Sequence, residues 1–257
     1  MILGIDATNI VTGGGLTHCR EILSDNEFKR HGFSKVILWS NKNTIDQIKN
    51  KSIHKKTHYL LNKKFYIRIL WNLFFFKREI KKEKCDALLV LGGYSVVNFN
   101  PTITICQNML PFEPNELKNY GLSLRRLKFF IIKILQINSF LKSKSIIFLS
   151  HYAREKIDQH INLNNKKTAV SPHGINEIFN LPKKKVFTSS KEQSKKNSYR
   201  FIYVSSVDMY KHQWNVIKAI GILKTKGYNV KLDLIGEYYK PALRKMNNEI
   251  DLSLIHI

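Results

Sequence analysis

Eight short apolar runs punctuate the chain: MILGI, KVILW, ALLVL, TITIC, SIIFLS and TAVS before residue 172, then RFIYVSS and VKLDLIG after residue 199. Longer stretches with apolar residues at helical spacing separate them. A strand that is apolar at nearly every position must be covered on both faces, which is the pattern of parallel sheets flanked by helices. The fold class read from this alternation is α/β. With 257 residues, 43% of them hydrophobic, the chain can build one large core or two smaller ones.

Residues 181–200, LPKKKVFTSSKEQSKKNSYR, are rich in Lys and Ser and nearly devoid of core residues, as expected of an exposed connection. The expected organisation is a first domain over residues 1–180, a basic linker over 181–200 and an incomplete second domain over 201–257. That second part supplies two strands, and a two-stranded parallel sheet cannot bury both its faces. It therefore borrows a partner's sheet or belongs to a chain cut short. The closing LSLIHI breaks the helical pattern before it, and the expectation is a reading frame that continues.

Lys and Arg number 43 against 19 Asp and Glu, a net charge of +24. Such a surface suits nucleic acid, an acidic membrane or phosphorylated substrates, although lysines spread over solvated faces give the same total. Cys19, Cys85 and Cys106 are widely spaced and form neither a disulfide framework nor a zinc ribbon, which fits a reducing, cytoplasmic setting. MILGID lacks the basic flank and long apolar run of a signal peptide, and the greasiest stretch, LKFFIIKILQINSFLK, is interrupted by Lys133, Gln136 and Asn138, so no membrane span is expected.

Chemistry is concentrated in the loops. In FIYVSSVDMYKHQWNVIKAI, residues 201–220, an apolar strand feeds a helix through a polar loop carrying Lys211 and His212. Backbone N–H groups and the helix dipole there favour an anion, and a lysine adds a full charge. Gly13, Gly14 and Gly15 follow the first strand and let backbone amides approach a phosphate or sugar, but their spacing is not G-x-G-x-x-G and the second strand lacks the acid that would hold a ribose. TICQNMLPFEPNEL offers Gln107, Asn108 and Glu113, or is simply a proline-stiffened turn with Glu113 and Glu116 opening a helix. In FLSHYAREKI, Ser150 reads as an N-cap with His151 beside it.

His54 and His58, at helical spacing among Lys51, Lys55 and Lys56, read as a solvated basic face rather than a metal site. No D-x-D pair, G-x-S-x-G elbow or Walker lysine motif is present. NKKFYIRILWNLFFFKREIKKEK and LSLRRLKFFIIKILQINSFLKSK combine apolar bulk with charge, and in the second Arg126, Lys133 and Lys144 fall near one helical stripe. Core packing is the favoured reading of the apolar faces, with lysine edges available to anionic lipid.

Taken in order, the glycine loop, QNMLPFEPNE, IIFLSHYAREKI, VSPHGIN, VSSVDMYKHQWNVIKAIGIL and LDLIGEYY resemble the retaining glycosyltransferases of family 4, over nearly the whole chain. The resemblance implies a GT-B-like fold: a Rossmann-like N-terminal domain on the acceptor side and, here, the first part of a second, donor-binding one. It implies a nucleotide-sugar donor, a glycan or lipid-linked acceptor, cell-surface glycan synthesis, no cofactor, no metal and no nucleic-acid partner, with peripheral contact to an anionic membrane. Lys211 matches the basic residue on the donor diphosphate, Gly236 the glycine beside the nucleotide, and Gly14 and Gly15 the loop over the donor. Asn108, Glu113, His151, His173, Ser206 and His212 are further candidate contacts, and no catalytic residue is assigned. Ser206 stands where the family often has an arginine, and the E-x7-E motif is absent, so this polypeptide is expected to be an inactive piece of the enzyme. The alternative reading is a basic nucleic-acid- or nucleotide-binding protein without transferase activity.

Overall fold

In the computed structural model, residues 1–24, 27–175 and 198–252 are described. The chain forms two compact units: Met1–Pro114 with Ser123–Ile175, and Asn115–Leu122 with Asn176–Ile257. Most of the proposed linker, residues 181–197, lies outside the described residues, as do residues 253–257 of the closing LSLIHI.

The first unit is built on a seven-stranded parallel sheet in the order β3-β2-β1-β4-β5-β6-β7. Its strands are β1 (Ile2–Asp6), β2 (Lys35–Trp39), β3 (Ile53–Lys56), β4 (Ala87–Val90), β5 (Thr102–Cys106), β6 (Ser145–Phe148) and β7 (Lys167–Val170). Burial explains the apolar runs. In β2, Val36 and Leu38 join a core with Leu3, Ile5 and Leu23, whereas Ile37 and Trp39 join another with Trp71, Phe76 and Leu88. Successive side chains of one strand thus feed opposite, helix-covered faces.

The helices here are α1 (Gly13–Ile22), α2 (Glu27–Arg30), α3 (Lys42–Gln47), α4 (Phe65–Trp71), α5 (Lys77–Lys82), α6 (Pro114–Lys118), α7 (Leu124–Lys142) and α8 (His151–Asp158). A π-helical turn, Asn72–Phe76, joins α4 to α5. The topology reverses at β1 and β4, so the loops after β1, β4, β5, β6 and β7 meet along one edge, where open parallel sheets collect ligands.

Lys51, His54 and Lys55 are exposed, the last two on edge strand β3, although Lys55 Nζ donates to the Ile48 carbonyl and Lys56 pairs with Glu83. His58 caps the turn Tyr59–Asn62, its ring nitrogen accepting from Leu60 N at 3.2 Å. The expectation for apolar bulk needs correction. In α7, Phe129, Ile132 and Phe140 are buried, but Leu124, Leu127, Phe130, Ile134 and Leu141 face solvent, and Lys144 lies beyond the helix. Along α4 and the π turn, Tyr66, Leu70, Leu73 and Phe74 are exposed as well. Core packing accounts for only half of each helix. Among the described residues, no helix is long and apolar enough to cross a membrane.

In the second unit β8 (Tyr199–Val204) and β9 (Val230–Ile235) pair in parallel, backed by α9 (Gln213–Thr225) and α10 (Lys240–Leu252). Tyr199 and Arg200, expected in the linker, already belong to β8. Val230, Leu232, Ile217, Ile220, Ala242 and Met246 form its core. The other face shows Ile202, Val204 and Ile235 at 62%, 71% and 52% exposure. Two strands leave one face of the sheet uncovered, as their number requires.

Candidate functional site

In the first unit the candidate site grows from the loops at the carboxyl edge of the sheet. Gly13 opens α1 with φ of 68°, a conformation that favours glycine. Thr12 makes no side-chain cap, so the first amides of α1 are left for water or a ligand. Next to this turn, the side-chain oxygen of Gln107 lies 3.4 Å from where a Gly15 Cβ would sit. Gln107 hydrogen-bonds His18, and the His18 ring meets His173 edge-on with centroids 4.4 Å apart. Burial, and then the neighbouring His173, push the His18 pKa down to about 4. A neutral imidazole carries one donor and one acceptor, which suits a ligand rich in hydroxyls.

The structure thus brings Gly15 and the candidate His173 together with His18, a residue not singled out in the sequence. Its place one turn into the helix that follows the glycines was the available signal. Other candidates have local partners. Asn108 Oδ1 accepts from Leu110 N at 3.1 Å, an Asx turn, while its carbonyl accepts from Gln136 Nε2 at 3.2 Å. Glu113 accepts from the Tyr152 hydroxyl, and Lys156 approaches it at 4.0 Å. Ser150 accepts from Ala153 N at 3.1 Å and caps α8, which leaves His151 exposed in the first turn. Burial raises the Cys19 and Cys106 thiols to about 12, so neither is a nucleophile.

In the second unit the ends of β8 and β9 approach closely. Gly236 has φ of 147°, and a Cβ there would lie 2.3 Å from the Ser205 carbonyl oxygen. Pairing continues past it through Val207 and Tyr238. The chain then turns through Asp208, whose carboxylate accepts from Met209 N at 2.8 Å, into a short helical turn, Met209–Lys211. Tyr203 Oη donates to the Lys211 carbonyl at 2.9 Å, fixing the backbone, while Lys211 Nζ rests over the Tyr210 ring. No carboxylate pairs with Lys211 among the described residues.

His212 takes a left-handed conformation (φ 53°, ψ 37°) and makes no cap to α9. Its Nε2 instead meets Glu116 Oε2 at 2.9 Å. The adjoining Tyr120 donates its hydroxyl to Asp208 at 2.7 Å, so the short segment Asn115–Leu122 braces the loop. Gln213 Nε2 holds the Ser206 carbonyl at 2.9 Å, leaving the Ser206 side chain exposed. The result is a firm loop with one available cation, Lys211, ahead of a helix N-terminus. That arrangement can take an anion.

No family model and no curated protein matches this chain. Solved structures do. A glycosyltransferase from Rickettsia africae aligns over 98% of this chain and 65% of its own at 17% identity, with a TM-score of 0.57. Anabaena HepE, solved with UDP and glucose, aligns over 98% of this chain and 66% of its own at 11% identity, with a TM-score of 0.60. A UDP-N-acetylglucosamine 2-epimerase from Rickettsia bellii aligns over 96% of this chain and 64% of its own at 15% identity, with a TM-score of 0.52. The chain therefore spans about two thirds of the length of these relatives in fold. At these identities the likeness concerns the fold, which is α/β and GT-B-like: a Rossmann-like N-terminal sheet and the first part of a second.

Proposed function

We propose that this chain is the acceptor-side unit and the opening of the donor-side unit of a retaining family 4 glycosyltransferase. The carrying observation is the braced loop after β8, which presents Lys211 with no carboxylate partner among the described residues and follows the point where Gly236 lets the ends of β8 and β9 meet. Lys211 contacts the donor diphosphate, Gly236 the nucleotide, and Gly14 and Gly15 close over the donor. Ser206 lies beside the same phosphates. His212, held by Glu116, shapes the loop rather than capping the helix. On the first unit Asn108, Glu113, His151 and His173 face the sugars. Sugar transfer then proceeds on one face of the donor, the leaving phosphate helping to deprotonate the acceptor hydroxyl while Lys211 stabilises its developing charge.

The division into a first domain, a basic linker and an incomplete second domain belongs to the same reading, with the linker ending before β8 begins at Tyr199. So does fragment status: the uncovered face of β8 and β9 and the two-thirds span of the relatives support further strands and an E-x7-E pair that holds the donor sugar. This piece alone is then inactive. The test is equilibrium binding of nucleotide sugars and of single-stranded RNA at low and at physiological salt. Nucleotide-sugar binding persisting while RNA binding collapses supports the transferase; the reverse order supports the basic nucleic-acid binder. The shared fold with an epimerase favours one second reading, a sugar-nucleotide epimerase, which converts its donor with no acceptor present.

We further place the enzyme in the cytoplasm at the inner membrane face, assembling surface glycans such as lipopolysaccharide on a glycan or lipid-linked acceptor. The exposed Tyr66, Leu70, Leu73 and Phe74, with Lys63, Lys64 and Lys77 beside them in the sequence, support peripheral contact. Each lysine near an anionic surface is worth about 1 kcal/mol. Flotation at low salt is expected to carry the protein with anionic vesicles and not with neutral ones; equal partition overturns the membrane assignment.

A further inference from the structure

A groove of about 560 Å³ lies within the first unit, beside the loops that leave the carboxyl ends of β1 and β2. Lys63, Lys64, Arg68 and Lys128 line it together with Phe65 and Tyr66, and no Asp or Glu does. Arg68 is the decisive residue. It is only 8% exposed, its Nη1 donates to the Thr8 carbonyl at 3.3 Å, and its Nε has no partner among the described residues. A guanidinium buried for structural reasons is normally paired with a carboxylate, because an uncompensated buried charge is costly.

The nearby acid does not serve. Asp6, at the end of β1, turns Oδ1 to the Thr8 amide and hydroxyl at 3.0 and 2.7 Å, and its own burial raises its pKa toward the neutral form. Lys128 reaches over the Phe65 ring at 5.1 Å, and its pKa is lowered by burial and then by the charges of Arg68 and Arg125. Cations that repel one another in a cleft without an acid form an anion site. A guanidinium fork flanked by ammonium groups matches phosphate oxygens. Phe65 and Tyr66 form an apolar wall, and the exposed row from Tyr66 through Leu70 and Leu73 leads away from it at helical spacing.

We infer that this groove binds a phosphate or diphosphate group carried by the acceptor, with an apolar or sugar moiety against Phe65 and Tyr66. Calling that ligand the acceptor rests on the glycosyltransferase reading; the anion site itself does not.

The test uses the whole chain and inorganic pyrophosphate as probe, with saturating UDP present to fill the donor loop. Pyrophosphate is expected to bind still, and Lys128→Met is expected to weaken it about tenfold, the effect of losing one contact to a charged group. Lys63→Met and Lys64→Met, on exposed side chains, provide variants that do not threaten the fold. Complete displacement of pyrophosphate by UDP, or affinity unchanged in all three variants, overturns the inference. Loss of UDP binding without loss of pyrophosphate binding counts against the donor loop alone. Farnesyl diphosphate binding more tightly than pyrophosphate identifies a lipid-linked phosphate, and glucose 1-phosphate doing so identifies a free sugar phosphate.

Discussion

Gly236→Ala is expected to destabilise the second unit by about 3 kcal/mol or more, a large part of the stability of a small domain. Two costs combine. A φ of 147° is a region open essentially to glycine, worth about 1–3 kcal/mol in strain for any other residue. The new methyl would also sit 2.3 Å from the Ser205 carbonyl oxygen, 2.7 Å from its carbon and 3.1 Å from Ser206 N, all backbone atoms that no rotamer change can move. Relief requires the ends of β8 and β9 to part, which also disturbs the loop that carries Lys211. Gly227→Ala is the control: φ is 83°, but nothing lies within 4 Å, so only a left-handed penalty of about 1 kcal/mol is expected. Thermal unfolding and amide exchange in β8 and β9 read both. Equal effects of the two substitutions would show that the close approach carries no energy.

Lys211→Ala is expected to weaken nucleoside diphosphate binding by about 1.5–3 kcal/mol while leaving the melting temperature almost unchanged. The separation follows from its surroundings. Lys211 holds the loop through its backbone, N to the Asp208 carbonyl at 3.0 Å and carbonyl to the Tyr203 hydroxyl, and these bonds survive the substitution. Among the described residues its ammonium rests against the Tyr210 ring, a modest contact, and pairs with no carboxylate. Titration calorimetry with UDP and other nucleoside diphosphates on the longest available form of the protein checks it. An unchanged dissociation constant removes Lys211 from the donor site.

Glu116 and His212, 96 residues apart, and Tyr120 and Asp208, 88 apart, show where sequence reading stops. In the sequence Glu116 is one more acid opening a helix, and nothing local marks it as the brace of a loop nearly a hundred residues further along the chain. His18 and Gln107, 89 residues apart, meet for the same kind of reason: parallel crossovers bring the loops after β1 and β5 to one edge. Arg68 is the clearest case. Within FYIRILW nothing sets it apart from the other cations of an apolar, charged stretch, and only packing shows it buried without an acid.

What the sequence determined by itself was the backbone plan. KVILW and TITIC coincide with β2 and β5 because strands buried on both faces need apolar residues at every position, a signal that requires no knowledge of neighbours. Strand β3 escaped this reading because an edge strand is covered on one side only, and its exposed His54 and Lys55 look like a polar surface. The joint at Lys211 was legible too, since strand, loop and helix are consecutive. Tertiary structure decided the rest: which apolar helix faces stay exposed, which polar side chains are left without partners, and which distant loops share an edge. Those properties depend on pairings between residues far apart in the chain, and only the folded sheet order sets them.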